Sequence, residues 1–231
     1  MQHNPNRIRV LHVVIPTYRA EAGLARLLPQ LSGDRVIVAD GGSDDGTLGV
    51  ALRHGAVLAV GARGRGAQLA LGARLAGLSG RAEDWFLFLH ADSRLPEGWR
   101  EAIDAAMGDR DPRYFGFRAD ADGPKARLMD AMVALRCAAL GLPYGDQGLL
   151  VSRALYERVG GYADMDLFED VELVERLRRV ARLRPLPLAL TTDISEHERD
   201  GIWRRGARNL GLLWRYKRGA EVADLLARYK R

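Results

Sequence analysis

Three acidic groupings in this sequence have the residue types of a site that handles phosphate and moves a proton. The first is Asp40-Gly41-Gly42-Ser43-Asp44-Asp45-Gly46-Thr47. A helix N-terminus capped by Ser43 or Asp44, with acids in its first turn, accounts for part of it. That explanation does not require an acid at Asp40, where a carboxylate ending a strand is placed to accept from a base N–H or a ribose hydroxyl. The second is His90-Ala91-Asp92-Ser93, which follows the apolar run Leu87-Phe88-Leu89. Residues two apart on an extended segment point the same way, so His90 and Asp92 are expected to converge on one ion or one sugar-phosphate group. A hard divalent ion, Mg or Mn, would take Asp92 together with diphosphate oxygens and waters; a turn-capping Asp is the competing reading. The third is Phe168-Glu169-Asp170-Val171-Glu172. Its acids suit either the positive end of a helix or a general base held on a rigid element, and spacing does not choose between them.

The elements that must position these groups are legible from hydrophobic patterning. Val10 to Ile15, Val36 to Ala39, Ala56 to Val60 and Trp85 to Leu89 are continuous apolar runs, the pattern of strands covered on both faces. Between them Glu21 to Leu31, Asp44 to His54 and Arg65 to Leu78 have helical length and spacing. The alternation predicts an α/β fold with a doubly wound, mostly parallel sheet flanked by helices. In such sheets ligands bind beyond the carboxyl ends of the strands, where Pro16-Thr17-Tyr18, Asp40 to Ser43 and His90 to Asp92 stand. Farther along, helices are expected near Glu97 to Met107, Lys125 to Leu140 and Val171 to Val180, with strands at Tyr114 to Arg118 and Gly148 to Val151. Gly61 to Gly66 (GARGRG) lacks the spacing of a dinucleotide loop and follows the third strand instead of the first. Arg63 and Arg65 within it are candidate phosphate contacts.

The 231 residues, 47% of them apolar, suit one large domain with a C-terminal appendage. The net charge of +5 is concentrated at the end: residues 199–231 hold ten Lys/Arg against three Asp/Glu. From Ile202 to Arg218, Trp203, Ala207, Leu210 and Trp214 fall at helical spacing with Arg204, Arg208, Arg215 and Arg218 on another side, which makes an amphipathic helix with a cationic face. Either the tryptophan face packs on the domain, or the helix lies on anionic lipid. No recognisable nucleic-acid motif accompanies it, so nucleic acid is not an expected partner. The single Cys137 excludes an intrachain disulfide and reads as a core thiol in a reducing compartment. No apolar run approaches the roughly 18 residues of a spanning helix, and the first nine residues lack the apolar segment of a signal peptide. A cytoplasmic protein is expected, peripheral at the inner face of the membrane if the tail binds lipid.

Taken together, four segments resemble the family 2 glycosyltransferases of the GT-A fold. Val14-Ile15-Pro16-Thr17-Tyr18-Arg19 with Glu21 is similar to the opening V-I-P-x-Y-N-E motif, and Asp40 to Thr47 to D-G-S-x-D-G-T. Leu89-His90-Ala91-Asp92 occupies the place of the D-x-D metal motif, with His90 replacing its first acid, and Glu169-Asp170 matches the E-D pair that contains the base. With Gly145-Asp146-Gln147-Gly148, the His-Ala-Asp variant is similar to a bacterial subgroup of that family. The resemblance implies one domain over residues 1–200, with a nucleotide-binding half at about 8–95 and an acceptor half at about 96–200, followed by the tail. It implies nucleotide contacts by Pro16, Thr17, Tyr18, Glu21, Asp40, Gly42, Ser43 and Ala91, and a diphosphate contact by Arg65. Asp92 would hold the divalent metal, with His197 as a further ligand. His90, Asp146, Gln147 and Glu169 would stand on the acceptor side or support it. The implied reaction is inverting transfer of a sugar from a nucleoside diphosphate sugar to an acceptor hydroxyl, lipid-linked if the tail binds membrane, with Asp170 as base. Two other readings fit related architecture: a nucleotide-sugar binder without activity, and a sugar nucleotidyltransferase.

Overall fold

The computed structural model describes residues 9–79, 81–192, 194 and 202–229. Its centre is a sheet of strands β1 (Leu11–Thr17), β2 (Arg35–Asp40), β3 (Val57–Val60), β4 (Trp85–Phe88), β5 (Ser93–Arg94), β6 (Arg113–Ala119), β7 (Leu149–Ser152) and β8 (Arg184–Thr192). Their spatial order is β3-β2-β1-β4-β7-β6-β8-β5. The half β3-β2-β1-β4 is parallel throughout, as the continuous apolar runs require. β7 then enters antiparallel between β4 and β6, while β8 returns parallel to β6. The expected doubly wound, mostly parallel sheet flanked by helices is found.

Alternation along β1 divides the core. Val13 and Ile15 pack on one face with Leu24 and Leu27 of α1 (Glu21–Leu27), Val50 of α2 (Thr47–Arg53) and Ile103 of α4 (Trp99–Ala106). Val14 faces the other way, into Leu69 and Ala73 of α3 (Arg65–Ser79), Tyr156 of α6 (Arg153–Arg158) and Leu173 and Leu177 of α7 (Glu169–Arg178). α3 lies close on β1 because Gly72 has no side chain; a Cβ there would stand 2.5 Å from Val14 Cγ1. At the end of the sheet away from the ligand-binding edge, Asp84 accepts from the Val10 and Arg81 amides and faces His12 Nε2 at 3.2 Å, which pins the start of β1 to β4.

β8 carries Pro185 and Pro187, which remove two ladder donors, and sequence patterning gives no strand there. The strand survives because the pairing jumps from Tyr114–Pro185 to Gly116–Ala189, so that Leu186 to Leu188 form an irregularity opposite Phe115.

α5 (Pro124–Leu140) covers β6, and the tail forms α8 (Ile202–Lys217) and α9 (Val222–Tyr229). The tail helix is found, and the tryptophan face is not the side that packs on the domain. Leu210 and Trp214 are 50% and 56% exposed, whereas Leu213 is buried against Leu142, Val171 and Val174. Asn209, Leu212, Leu213 and Tyr216 form a second stripe at the same helical spacing, and the aliphatic pair at its centre buries more completely than the tryptophan does. Tyr216 stacks on Phe168 at 5.0 Å between ring centroids, and Lys217 pairs with Glu175. The tail is thereby fixed on α7, the helix that carries Glu169 and Asp170. Trp203, the first residue of the expected stripe, has a side chain outside the described residues.

Candidate active site

The carboxyl end of β4, the N-termini of α3 and α7 and the loop before β7 surround a small pocket lined by Arg65, Leu69, His90, Gly145, Tyr162 and Asp170, among others. Two glycines allow its walls to meet. Gly66 donates its amide to Met165 O at 3.2 Å, and a Cβ on it would lie 2.7 Å from that oxygen. Gly145 abuts the His90 ring: a Cβ there would be 2.7 Å from Nε2. Gly66 of the GARGRG stretch therefore serves close backbone approach, which brings Arg65 beside α7.

On the β1–β2 side, Asp40 is fully buried and its carboxylate is fully used. Oδ1 accepts from the amides of Gly42 at 2.8 Å and Ser43 at 2.7 Å, and Oδ2 accepts from the hydroxyls of Thr17 at 2.9 Å and Ser43 at 2.6 Å. Four donors fill its lone-pair sites. The short turn after β2 presents its own donors to this acid, which gives Asp40 a structural task. Asp40 folds the loop that holds Thr17 and Ser43, leaving Gly42, exposed at φ +86°, at its rim.

The neighbouring loop is tied the same way. Glu21 accepts from the Gly46 amide at 3.1 Å, Arg19 forms a bidentate pair with Asp44, and the Arg63 guanidinium lies 3.8 Å from the Tyr18 ring centroid. Tyr18 and Arg63 thus present a flat, cationic surface beside Pro16. Sequence reasoning missed Gln68. It is buried, donates Nε2 to Thr17 O at 2.6 Å and Ala39 O at 2.8 Å, and receives the Gly64 amide at 3.3 Å, so it joins both strand ends to the arginine loop. A glutamine one turn inside a helix at a glycine-rich loop was the available signal.

His90 and Asp92 do not converge as an extended pair. β4 ends at Phe88, and Ser93 N donates to His90 O, so the two residues stand in a turn and not on an extended segment. His90 turns inward to the pocket, where burial, and then Arg65, lower its pKa to about 3; it is a neutral imidazole. Asp92 is exposed, and Ala91 packs its methyl in the core, so it offers a ligand only backbone.

Across the pocket, Asp170 Oδ2 accepts from the Gly145 amide at 2.7 Å at the first turn of α7. Glu169 beside it is buried, with Arg65 Nη1 at 3.5 Å from Oε1. Burial, and after it the charge of Asp170, push the Glu169 carboxyl up to about 7. Phe168, which begins the turn, sits at φ +64°, a left-handed conformation that costs a non-glycine residue on the order of 1 kcal/mol and is held by the Tyr216 ring. Asp146 has a buried Oδ1 without a hydrogen-bond partner, and burial raises its carboxyl to about 6 against the opposing charge of Arg136. Gln147 lies outside the pocket chemistry. It is buried, donates to Phe115 O, and accepts from Arg136, Cys137 and the Tyr144 amide, so it supports the loop that carries Gly145.

Arg65 feels Glu169, Asp170 and Asp92 electrostatically, which places two of the three sequence groupings around one cation. Among the described residues no three His, Cys, Asp or Glu side chains form a metal cage. A hard ion here would find one exposed carboxylate, Asp92, and would need the rest of its shell from outside the protein. His197 falls outside the described residues.

Residues 12–130 match the family model described as Glycosyl transferase family 2. No curated protein matches the sequence. Among solved structures, the chain is similar to the mannosyltransferase PcManGT from Pyrobaculum calidifontis in complex with GDP-Man and Mn2+, with TM-score 0.65 and 17% identity over 98% of this chain and 69% of that one. It is similar to residues 1–349 of S. aureus TarS in complex with UDP, with TM-score 0.63 and 15% identity over 95% of this chain and 69% of that one. Of a longer TarS chain it spans 42%. Glucosyl-3-phosphoglycerate synthase from Mycobacterium tuberculosis, in complex with Mn2+, UDP and phosphoglyceric acid, gives TM-score 0.57 and 19% identity over 87% of this chain and 77% of that one. These likenesses identify the fold as GT-A.

Proposed function

Because the chain belongs to glycosyl transferase family 2, we propose that it moves a sugar from a nucleoside diphosphate sugar to an acceptor hydroxyl with inversion at the anomeric carbon. The observation that carries this reading is the Asp170 carboxylate, fixed by the Gly145 amide at the rim of a pocket that also holds Arg65 and neutral His90. The acceptor oxygen forms its bond to the anomeric carbon, the bond to the diphosphate breaks, and the hydroxyl proton passes to Asp170. Arg65, oriented by Glu169, faces the charge that develops on the leaving diphosphate. The nucleoside lies over Pro16, Thr17 and Tyr18, with Glu21, Gly42 and Ser43 bounding it; Asp40 acts through that loop. Mg or Mn, held by Asp92, would supply further positive charge to the diphosphate. GDP-Man and UDP in the similar structures support a nucleotide-bound donor.

An acceptor carried on lipid, reached from the inner face of the membrane, belongs to the same proposal. It is supported by Trp214, which is 56% exposed with the Arg218 guanidinium 3.8 Å from its ring centroid.

The test is a panel of UDP-, GDP- and dTDP-sugars with Mg or Mn, assayed for transfer and donor hydrolysis. Asp170→Asn is expected to lower turnover by about 10²- to 10⁴-fold, with nucleotide affinity retained. Parallel loss of both would assign Asp170 to donor binding or folding and remove it as the base.

A further inference from the structure

α5 is apolar on both sides, yet the described residues bury only one of them. Ala126, Val133 and Cys137 are buried against Tyr114, Phe117 and Ile194. On the outer side Leu128 is 45% exposed, Met132 44%, Leu135 67% and Leu140 47%, with exposed alanines between them. The charged residues within that span both turn inward. Asp130 accepts from the Ala119 amide at 2.9 Å, and Arg136 stacks on Tyr144 while donating to Leu142 O and Gln147. The outer face is therefore free of charge over roughly three and a half turns. A surface helix normally turns a polar side to water, and a contiguous apolar face of this length marks a contact with an apolar phase.

The charges at its two ends decide which phase. Lys125 and Arg127 are exposed at one end, beside Asp122, and Arg178 and Arg182 are exposed at the other, where Arg178 donates to Leu140 O and Arg182, whose amide donates to Asp111, lines a cavity with Ala138 and Gly141. A second copy of the chain would bring this cationic rim against its own kind. An anionic bilayer satisfies both the rim and the face. No helix among the described residues is long and apolar enough to cross a membrane, so the geometry is that of a helix lying in the surface.

We propose that α5 seats the chain on anionic lipid, with Leu128, Met132, Leu135 and Leu140 in the acyl region and the flanking basic residues at the headgroups. This contact is separate from Trp214 on α8. It also places the lipid surface five residues from Gly145, whose amide holds Asp170.

The experiment is flotation of the full chain, without nucleotide or metal, on phosphatidylcholine vesicles with and without phosphatidylglycerol. The chain is expected to float only with the anionic lipid, and Leu128→Gln/Met132→Gln/Leu135→Gln to lower the bound-to-free ratio by roughly tenfold or more. Trp214→Gln alone should retain part of the binding. If the triple variant does not give a wild-type circular dichroism spectrum, Leu135→Gln, at the most exposed position, replaces it, with an expected loss of about threefold. Failure of the wild type to float, equal flotation by the α5 variant, or a self-associated wild type that the variant dissociates with no lipid binding would each overturn the proposal. Since no donor is present, the result is independent of whether Asp170 proves to be the base.

Discussion

Replacing Gly66 by alanine probes the contact that assembles the site from two separate parts of the chain. The added Cβ would stand 2.7 Å from Met165 O and 2.9 Å from Met165 N, and against Ala163 O as well. All three are backbone atoms of the segment leading into α7, so no side chain can rotate away. Overpacking of this kind costs about 1–3 kcal/mol, and rigid neighbours place it at the upper end. Separation also lengthens the 3.2 Å bond from Gly66 N to Met165 O, worth about 1 kcal/mol. The higher helix propensity of alanine returns up to about 1 kcal/mol. The net loss is about 3 kcal/mol, or a melting temperature lower by roughly 6–12 °C for a chain of this size. Gly211→Ala in α8 is the matched control, since a Cβ there meets nothing within 4 Å; it should raise the melting temperature by roughly 2–4 °C. Thermal unfolding followed by circular dichroism measures both. If Gly66→Ala is as stable as the wild type, α3 and the 163–165 segment do not meet as described, and the placement of Arg65 beside Glu169 falls with them.

Three further outcomes follow from the site. Glu169 has its pKa raised to about 7, so the native state keeps a proton that the unfolded chain releases near 4.5; its contribution is complete below about pH 4.5 and lost as pH rises through about 7. Glu169→Gln should flatten the fall in urea-unfolding stability between those limits, and an unchanged slope would refute the assignment. Asp40→Ala leaves the hydroxyls of Thr17 and Ser43 and two amides without their acceptor, and should cost about 2–4 kcal/mol in urea unfolding together with weakened nucleotide binding; Asp40→Asn, which keeps one acceptor oxygen, should lose less. Asp92→Ala should remove the gain in nucleotide affinity on adding Mn, measured by titration calorimetry, and leave metal-free binding unchanged; equal metal enhancement in both proteins would place the ion elsewhere.

Where the sequence read correctly, local patterning and burial asked for the same thing. The runs at Val10–Ile15, Val36–Ala39 and Trp85–Leu89 are strands covered on both faces, whereas Ala56–Val60 forms the edge strand β3 and leaves Val57 and Val60 exposed; the helices between the runs force the parallel order. Where it failed, the deciding term was a partner distant in the chain. β8 is a strand despite Pro185 and Pro187 because β6 and β5 accept its remaining donors around an irregularity. The two-residue β5 has no periodicity to read, and its pairing with β8 alone defines it.

The candidate site divides along the same line. From sequence alone came that Asp40 ends a strand and Asp170 opens a helix, since both are local properties, whereas Asp92 stands in the turn four residues beyond β4. Only the tertiary structure decided what each can touch. Asp40 is saturated by its own turn, His90 is desolvated in the pocket, and Gln68 joins loops that patterning treats separately. Likewise the spacing of the tail showed a helix, but Leu213 and not Trp214 faces α7. Two stripes with the same period are equivalent in one dimension, and only the surface they meet distinguishes them.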